Sequence, residues 1–162
     1  MKKIILIAAM VLGFAVAANA QGFRAGARIG SGFQAQAEYC YNGANYFEGR
    51  FGMGWYHAGL LTAELTLLHN WNIATMDWTP SVGQCFFDAG AGVTLGGRTN
   101  FVTGGVAGCA KIGIEFNDVP IRVSLDCTPA FGPAIAYDGA NSIAKFNEYG
   151  LANFGISAVF CF

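Results

Sequence analysis

The sequence predicts an all-β protein, an eight-stranded antiparallel up-and-down transmembrane β-barrel, and three observations predict it. After residue 20, apolar and polar residues alternate with period two between Gly-, Asn- and Asp-containing turns, as strands require. One of the two faces so defined is apolar throughout, and the other collects most of the charge. The chain is also 54% hydrophobic and only 12% charged, about half the usual charged share, yet beyond residue 20 no stretch approaches 18 consecutive apolar residues.

The opening "MKKIILIAAMVLGFAVAANA" places Lys2 and Lys3 before an apolar run and ends in Ala18-Asn19-Ala20, the layout of a cleaved secretory signal peptide over residues 1–20. Residues 21–162 then form one β-barrel domain with 7 Lys+Arg and 10 Asp+Glu. A net charge near −3 disfavours a nucleic-acid partner.

Strands are expected at 22–30, 33–42, 46–56, 60–70, 84–95, 102–116, 120–130 and 149–162. The turns between them are "SG" at 31–32, "NGAN" at 42–45, "GGRTN" at 96–100 and "NDVP" at 117–120, with a turn within 71–82. Pro120 is tolerated at the start of a strand. The connections 30–32, 56–60, 96–101 and 131–148 share one end, and the last is the longest and most polar, where exposed function would concentrate.

The apolar face carries Ile29, Phe33, Phe51, Leu65, Leu67, Phe87, Val93, Ile112, Leu125 and their neighbours, with no charge. The other face carries Arg24, Arg28, Glu38, Glu48, Arg50, Glu64, Asp88, Lys111, Glu115, Arg122 and Asp126. A soluble barrel would turn the apolar face inward, and a membrane barrel would turn it toward lipid. Few turns, a broad apolar face and the aromatic cluster Tyr39, Tyr41, Phe47, Phe160 and Phe162 near one rim favour lipid. Placing Arg or Lys at mid-bilayer costs about 2–4 kcal/mol each. Slipping five of them outward would cost roughly 10–20 kcal/mol, against a typical net stability of about 5–15 kcal/mol. The register is therefore fixed, and the last strand must close on the first because no open edge persists in lipid.

These features resemble the small outer-membrane β-barrel proteins of Gram-negative bacteria. Within them, "EGRFGMGWY" at 48–56 and "GIEFNDVPIRVSLDCTPAFG" at 113–132 look like the small barrels common in the Bacteroidetes group. The resemblance implies an outer-membrane location, lipid as the surrounding partner and passage through the barrel-assembly machinery. Phe154, Ile156, Phe160 and Phe162 would then form the carboxy-terminal assembly signal, and the protein would be a monomer, with surface ligands meeting its outward loops.

The eleven inward charged residues are expected to form a structural plug, since an eight-stranded interior is just wide enough for side chains to fill and a buried charge needs a partner. A narrow pore or small-solute binder is the alternative reading of the same residues. By analogy with barrels that cut or transfer lipid acyl chains, His57 with Ser31, or with Asp138 and Ser142, are candidate base and nucleophile, but no G-x-S-x-G accompanies them. No catalytic residue, metal ligand or cofactor is assigned. His57 and His69 belong to opposite ends, and the five Cys lack C-x-x-C spacing. Cys40 and Cys161 share an end and are the one candidate disulfide; the other cysteines read as small apolar fillers. Trp55, Trp71 and Trp78 read as interface anchors. The function expected from all this is a structural or surface-contact role.

Overall fold

A computed structural model describes residues 22–56, 60–79, 81–138, 141–147 and 153–162. Residues 1–20, which the sequence reads as a leader, and His57 lie outside them. Every regular element among the described residues is a strand: β1 Phe23–Gly30, β2 Gly32–Cys40, β3 Asn45–Tyr56, β4 Leu60–Thr79, β5 Gly83–Arg98, β6 Phe101–Phe116, β7 Ile121–Cys127, β8 Ala130–Asp138, β9 Asn141–Asn147 and β10 Phe154–Cys161. No helix is long and apolar enough to cross a membrane, which says nothing of strands.

The strands close into an eight-walled antiparallel up-and-down barrel. Neighbours pair in chain order from β1 to β7; β10 then pairs with β7 on one side and β1 on the other. The aromatic C-terminal strand thus has a hydrogen-bonded neighbour along both edges. Following the ladder from Gly30 through Gly155, Asp126, Lys111, Asp88 and Asn72 descends steadily around the ring. The circuit closes with a stagger of about ten residues, which tilts the strands into the roughly 35–45° range of closed barrels.

Two expectations are corrected. The segment 71–82 is not simply a turn: β4 continues to Thr79 and absorbs the irregular sequence in register shifts between Asn72 and Ala74 and between Met76 and Thr79. The segment 131–148 is not a loop but mostly a hairpin, β8 against β9, with Ala136 facing Ile143 and Asp138 facing Asn141. β8 holds the same register on β6 as β7 does, so the two form one wall interrupted at Thr128 and Pro129. Pro129 has no N–H to donate, while its carbonyl still accepts from the Gly108 N–H at 2.8 Å. Among the described residues β9 pairs only with β8 and leaves its other edge free.

Turn chemistry is visible between β2 and β3. Gly43 takes φ of 77°, a conformation open to glycine, and the Asn42 Oδ1 accepts from the Asn45 N–H at 2.7 Å.

Burial runs opposite to that of a water-soluble domain. Ile29, Ile156, Leu125 and Ile112 form a continuous outward row across β1, β10, β7 and β6, at 63%, 57%, 57% and 53% exposure. Arg28 and Arg50 are 1% exposed and Lys111 2%. At the rim that holds both described termini, Tyr41, Phe47, His69 and Trp71 contact one another ring to ring. The Tyr41 hydroxyl lies 2.7 Å from His69 Nε2. Phe23, Phe160 and Phe162 continue this aromatic edge.

Candidate functional site

The interior is the only place where the described charged side chains converge, and alternation along the strands puts them there. In β3, Tyr46, Glu48 and Arg50 point inward while Phe47, Phe51 and Met53 point out. The same parity turns Arg28 of β1, Asp88 of β5, Lys111 of β6 and Asp126 of β7 inward.

Glu38 and Glu48 stand opposite each other across the β2–β3 ladder, where like charges repel. Lys111 resolves this from the far wall, its ammonium donating to Glu48 Oε2 at 2.6 Å and to Glu38 Oε1 at 3.2 Å. Its ladder neighbours are acids too, Asp88 and Asp126, yet its head group crosses the lumen. Arg50 also spans the barrel, donating to Glu48 at 2.5 Å on its own strand and to Thr128 at 2.9 Å across it. It further contacts Asp126 at 3.3 Å.

Arg28 grips Asp126 through Nε at 2.9 and 3.0 Å, and donates to Asn153 Oδ1 at 3.0 Å and Gln34 at 3.3 Å. Glu48 also accepts from Asn70 at 2.7 Å, and Glu38 from Gln36 at 2.8 Å. Asp88 accepts from Tyr46 at 2.7 Å, from Asn72 at 2.9 Å and from Arg122. The Arg122 guanidinium lies 3.5 Å over the Phe86 ring, in stacking contact.

Of the eleven charged residues read from the sequence, six therefore meet in one buried network, Arg28, Glu38, Glu48, Arg50, Lys111 and Asp126, and Asp88 and Arg122 form a second buried pair beside it, with the Tyr46 ring between Arg122 and Lys111. Arg24 and Glu115 sit at the mouth on the terminal side, where Arg24 contacts Glu38 at 3.4 Å and Glu115 at 3.6 Å. Glu64 lies apart from this network, in the other half of the barrel, accepting from Thr66 at 3.1 Å and Thr94 at 3.4 Å.

Tyr46, Asn70, Phe86, Thr128 and Asn153 complete the interior and were not singled out from sequence. Tyr46 and Asn70 share parity with Glu48 and Glu64, and that signal would have found them. Phe154, Ile156 and Phe160 point outward on β10, at the closing seam, and Phe162, the residue after it, is exposed too. Ser31 lies at the opposite rim, its hydroxyl donating to the Phe154 carbonyl at 3.3 Å; its proposed partner His57 and the side chains of Asp138 and Ser142 lie outside what is described. Cys40 and Cys161 are both free thiols, as are the other three cysteines. Cys161 faces Arg24 across the β1–β10 ladder while Cys40 bonds to Gly22 on the other side of the same chain segment, so a full strand's width separates them, beyond the Cα spacing a disulfide bridges. Cys109 is not merely an apolar filler, since its sulfur lies 3.8 Å from Arg50 Nη2 and 3.7 Å from Thr128 Oγ1. Among the described residues no group of three or more His, Cys, Asp and Glu side chains is placed to hold a metal.

Gly155 leaves the space that Arg28 occupies. A Cβ on Gly155 would stand 2.5 Å from Arg28 Cζ and 2.7 Å from its Nη2. Gly155→Ala is expected to cost about 1–3 kcal/mol, because Arg28 is pinned by Asp126 and Asn153 and cannot swing aside. A lowered urea midpoint of the detergent-refolded barrel would register it, and an unchanged midpoint would mean that the guanidinium is free to move.

Comparison with family models, with curated proteins and with solved structures returns no match to this chain. Its reading therefore rests on the geometry of the barrel itself.

Proposed function

We propose that the protein is a small outer-membrane β-barrel of the Gram-negative type, exported by a cleaved leader, with a non-enzymatic structural or surface-contact role and a closed, charge-packed interior. The observation that carries this reading is the inverted burial: a band of exposed Ile, Leu, Phe and Val outside, and Arg, Lys, Asp and Glu within. In water that exterior would be an aggregation surface; in a bilayer it is the ordinary lipid-facing band. Both described termini share the end bearing the Tyr41–Trp71 aromatic edge, which this reading assigns to the periplasmic side. The barrel-assembly machinery would read Phe154, Ile156 and Phe160 on the closing strand and Phe162 just after it.

Lys111 and Arg50 both cross the lumen, which supports a plug over a conducting pore. The purified protein should therefore migrate faster on a gel unboiled than boiled, fractionate with the outer membrane, and give no steady conductance steps in a planar bilayer. Reproducible steps would reject the plug, and recovery as a water-soluble monomer would reject the membrane reading.

Surface contact is assigned to the β8–β9 hairpin, whose β9 edge, unpaired among the described residues, can accept an extended partner strand. Ala134 and Ala136 are laddered to β6, so the informative change is confined to the tip. Replacing residues 137–142 by Asn-Gly, a tight hairpin turn, should leave heat-modifiable migration intact and abolish cell-surface binding. Unchanged binding would leave the structural role.

A further inference from the structure

We infer that the barrel mouth on the terminal side is a binding site for a small polar anion, bearing a carboxylate or phosphate, with the Glu115 carboxylate as its built-in occupant. A cavity of about 230 Å³ opens there, lined by Arg24, Arg122, Glu115, Gln84, Asn72 and Phe86 among others. Since a water's share of liquid volume is about 30 Å³, the space holds on the order of eight waters, or one small anion with part of its hydration shell.

Two guanidinium groups converge on this space from β1 and β7, and each is fixed from behind. Arg122 is held by Asp88 and stacked on Phe86, and Arg24 is held by Glu38 at 3.4 Å. What they share in front is Glu115 Oε2, at 3.6 Å from Arg24 and 3.9 Å from Arg122. Charge-assisted N–H···O bonds are about 2.7–2.9 Å, so this carboxylate neutralises both cations without closing a tight bond to either. Its side chain is 44% exposed, whereas Arg24 and Arg122 are 12% and 8% exposed.

Charge balance leads to the same place. The interior cations Arg24, Arg28, Arg50, Lys111 and Arg122 face the buried carboxylates of Glu38, Glu48, Asp88 and Asp126 in this half of the barrel. One positive charge is left over, and among the described residues the half-exposed Glu115 is the carboxylate placed to offset it. An external carboxylate or phosphate, with oxygens matched to the guanidinium forks, can displace Glu115 toward solvent, while the exposed Gln84 amide stands at the wall to donate to it.

The test uses the ¹⁵N-labelled protein refolded in zwitterionic detergent micelles and titrated with inorganic phosphate; a separate arm uses micelles doped with an anionic phospholipid. Saturable shifts of the Arg24 and Arg122 Nε–H signals and of the Gln84 side-chain amide are expected. Glu115→Gln should bind phosphate about tenfold more tightly than wild type, and Arg24→Gln should lose at least that factor. Shifts with phosphate identify a soluble anion as sufficient; shifts only with the doped micelles identify a lipid headgroup. Absence of saturation in both arms for Glu115→Gln overturns the site, as does weaker binding by that variant than by wild type. Should Arg24→Gln fail to regain heat-modifiable migration, Gln84→Leu, at the exposed edge of the mouth, replaces it and must weaken phosphate binding if the site is real.

Discussion

Replacing Lys111 with methionine is expected to destabilise the folded barrel by about 3–5 kcal/mol, the cost of removing one partner from a buried ion pair. The ammonium is the shared counter-ion of Glu38 and Glu48, which face each other across β2 and β3. The two carboxylates would not suffer equally. Glu48 keeps Arg50 at 2.5 Å and Asn70 at 2.7 Å. Glu38 keeps only Gln36 at 2.8 Å and the longer Arg24 contact at 3.4 Å. The residual penalty therefore sits on Glu38, and adding Glu38→Gln to Lys111→Met should recover about half of the loss; Glu48→Gln in the same background should recover less, because it also strips Arg50 of its closest partner. Urea titration of the refolded barrel in lipid vesicles, followed by tryptophan fluorescence, measures all three. A loss below about 1 kcal/mol for Lys111→Met would place the ammonium in a water-screened environment and remove the argument for a dry plug.

The same pair marks how far the sequence could be read. Period-two alternation identified which side chains share the interior, because parity is a local property of a strand. It also brought Glu38 near Glu48, since the turn at 42–45 folds β2 back on β3. It did not reveal that Lys111 answers both, because that contact depends on the diameter of the ring and on the stagger accumulated around it, which no single strand encodes. Glu64 illustrates the converse: correct parity placed it inside, but its height on β4 set it among Thr66 and Thr94 instead of in the network.

The misread segments share a physical cause. Asn72, Asp77 and Pro80 look like turn residues, but β4 takes up the first two of them in an irregular ladder. Gly132, Pro133 and Gly139 likewise weaken the strand signal over 131–148, although β8 gains a partner along both edges, β6 and β9. Local propensity was overridden by cross-strand pairing in both places.

Leu125→Arg is expected to cost about 2–4 kcal/mol in lipid vesicles, the penalty for a cation on the lipid face near the bilayer midplane, and almost nothing in a purely aqueous setting. Leu125 is 57% exposed and points away from the charged lumen. Its ladder neighbours are Ile156 on one side and Ile112 on the other, themselves 57% and 53% exposed. Little protein packing is therefore lost on substitution, and surface changes away from special features usually stay within about 0.5 kcal/mol. Leu125 stands four residues along β7 from its rim end at Ile121, so an arginine there reaches water only by bending along the apolar row. The magnitude then reports the solvent and not the protein. A matched substitution at the rim, Tyr41→Arg, separates depth from a general intolerance of charge: it should cost about 0–1 kcal/mol beyond the loss of the His69 contact at 2.7 Å. Equal, small penalties at both positions would mean that water bathes the Ile29–Ile156–Leu125–Ile112 row and that another surface must cover it.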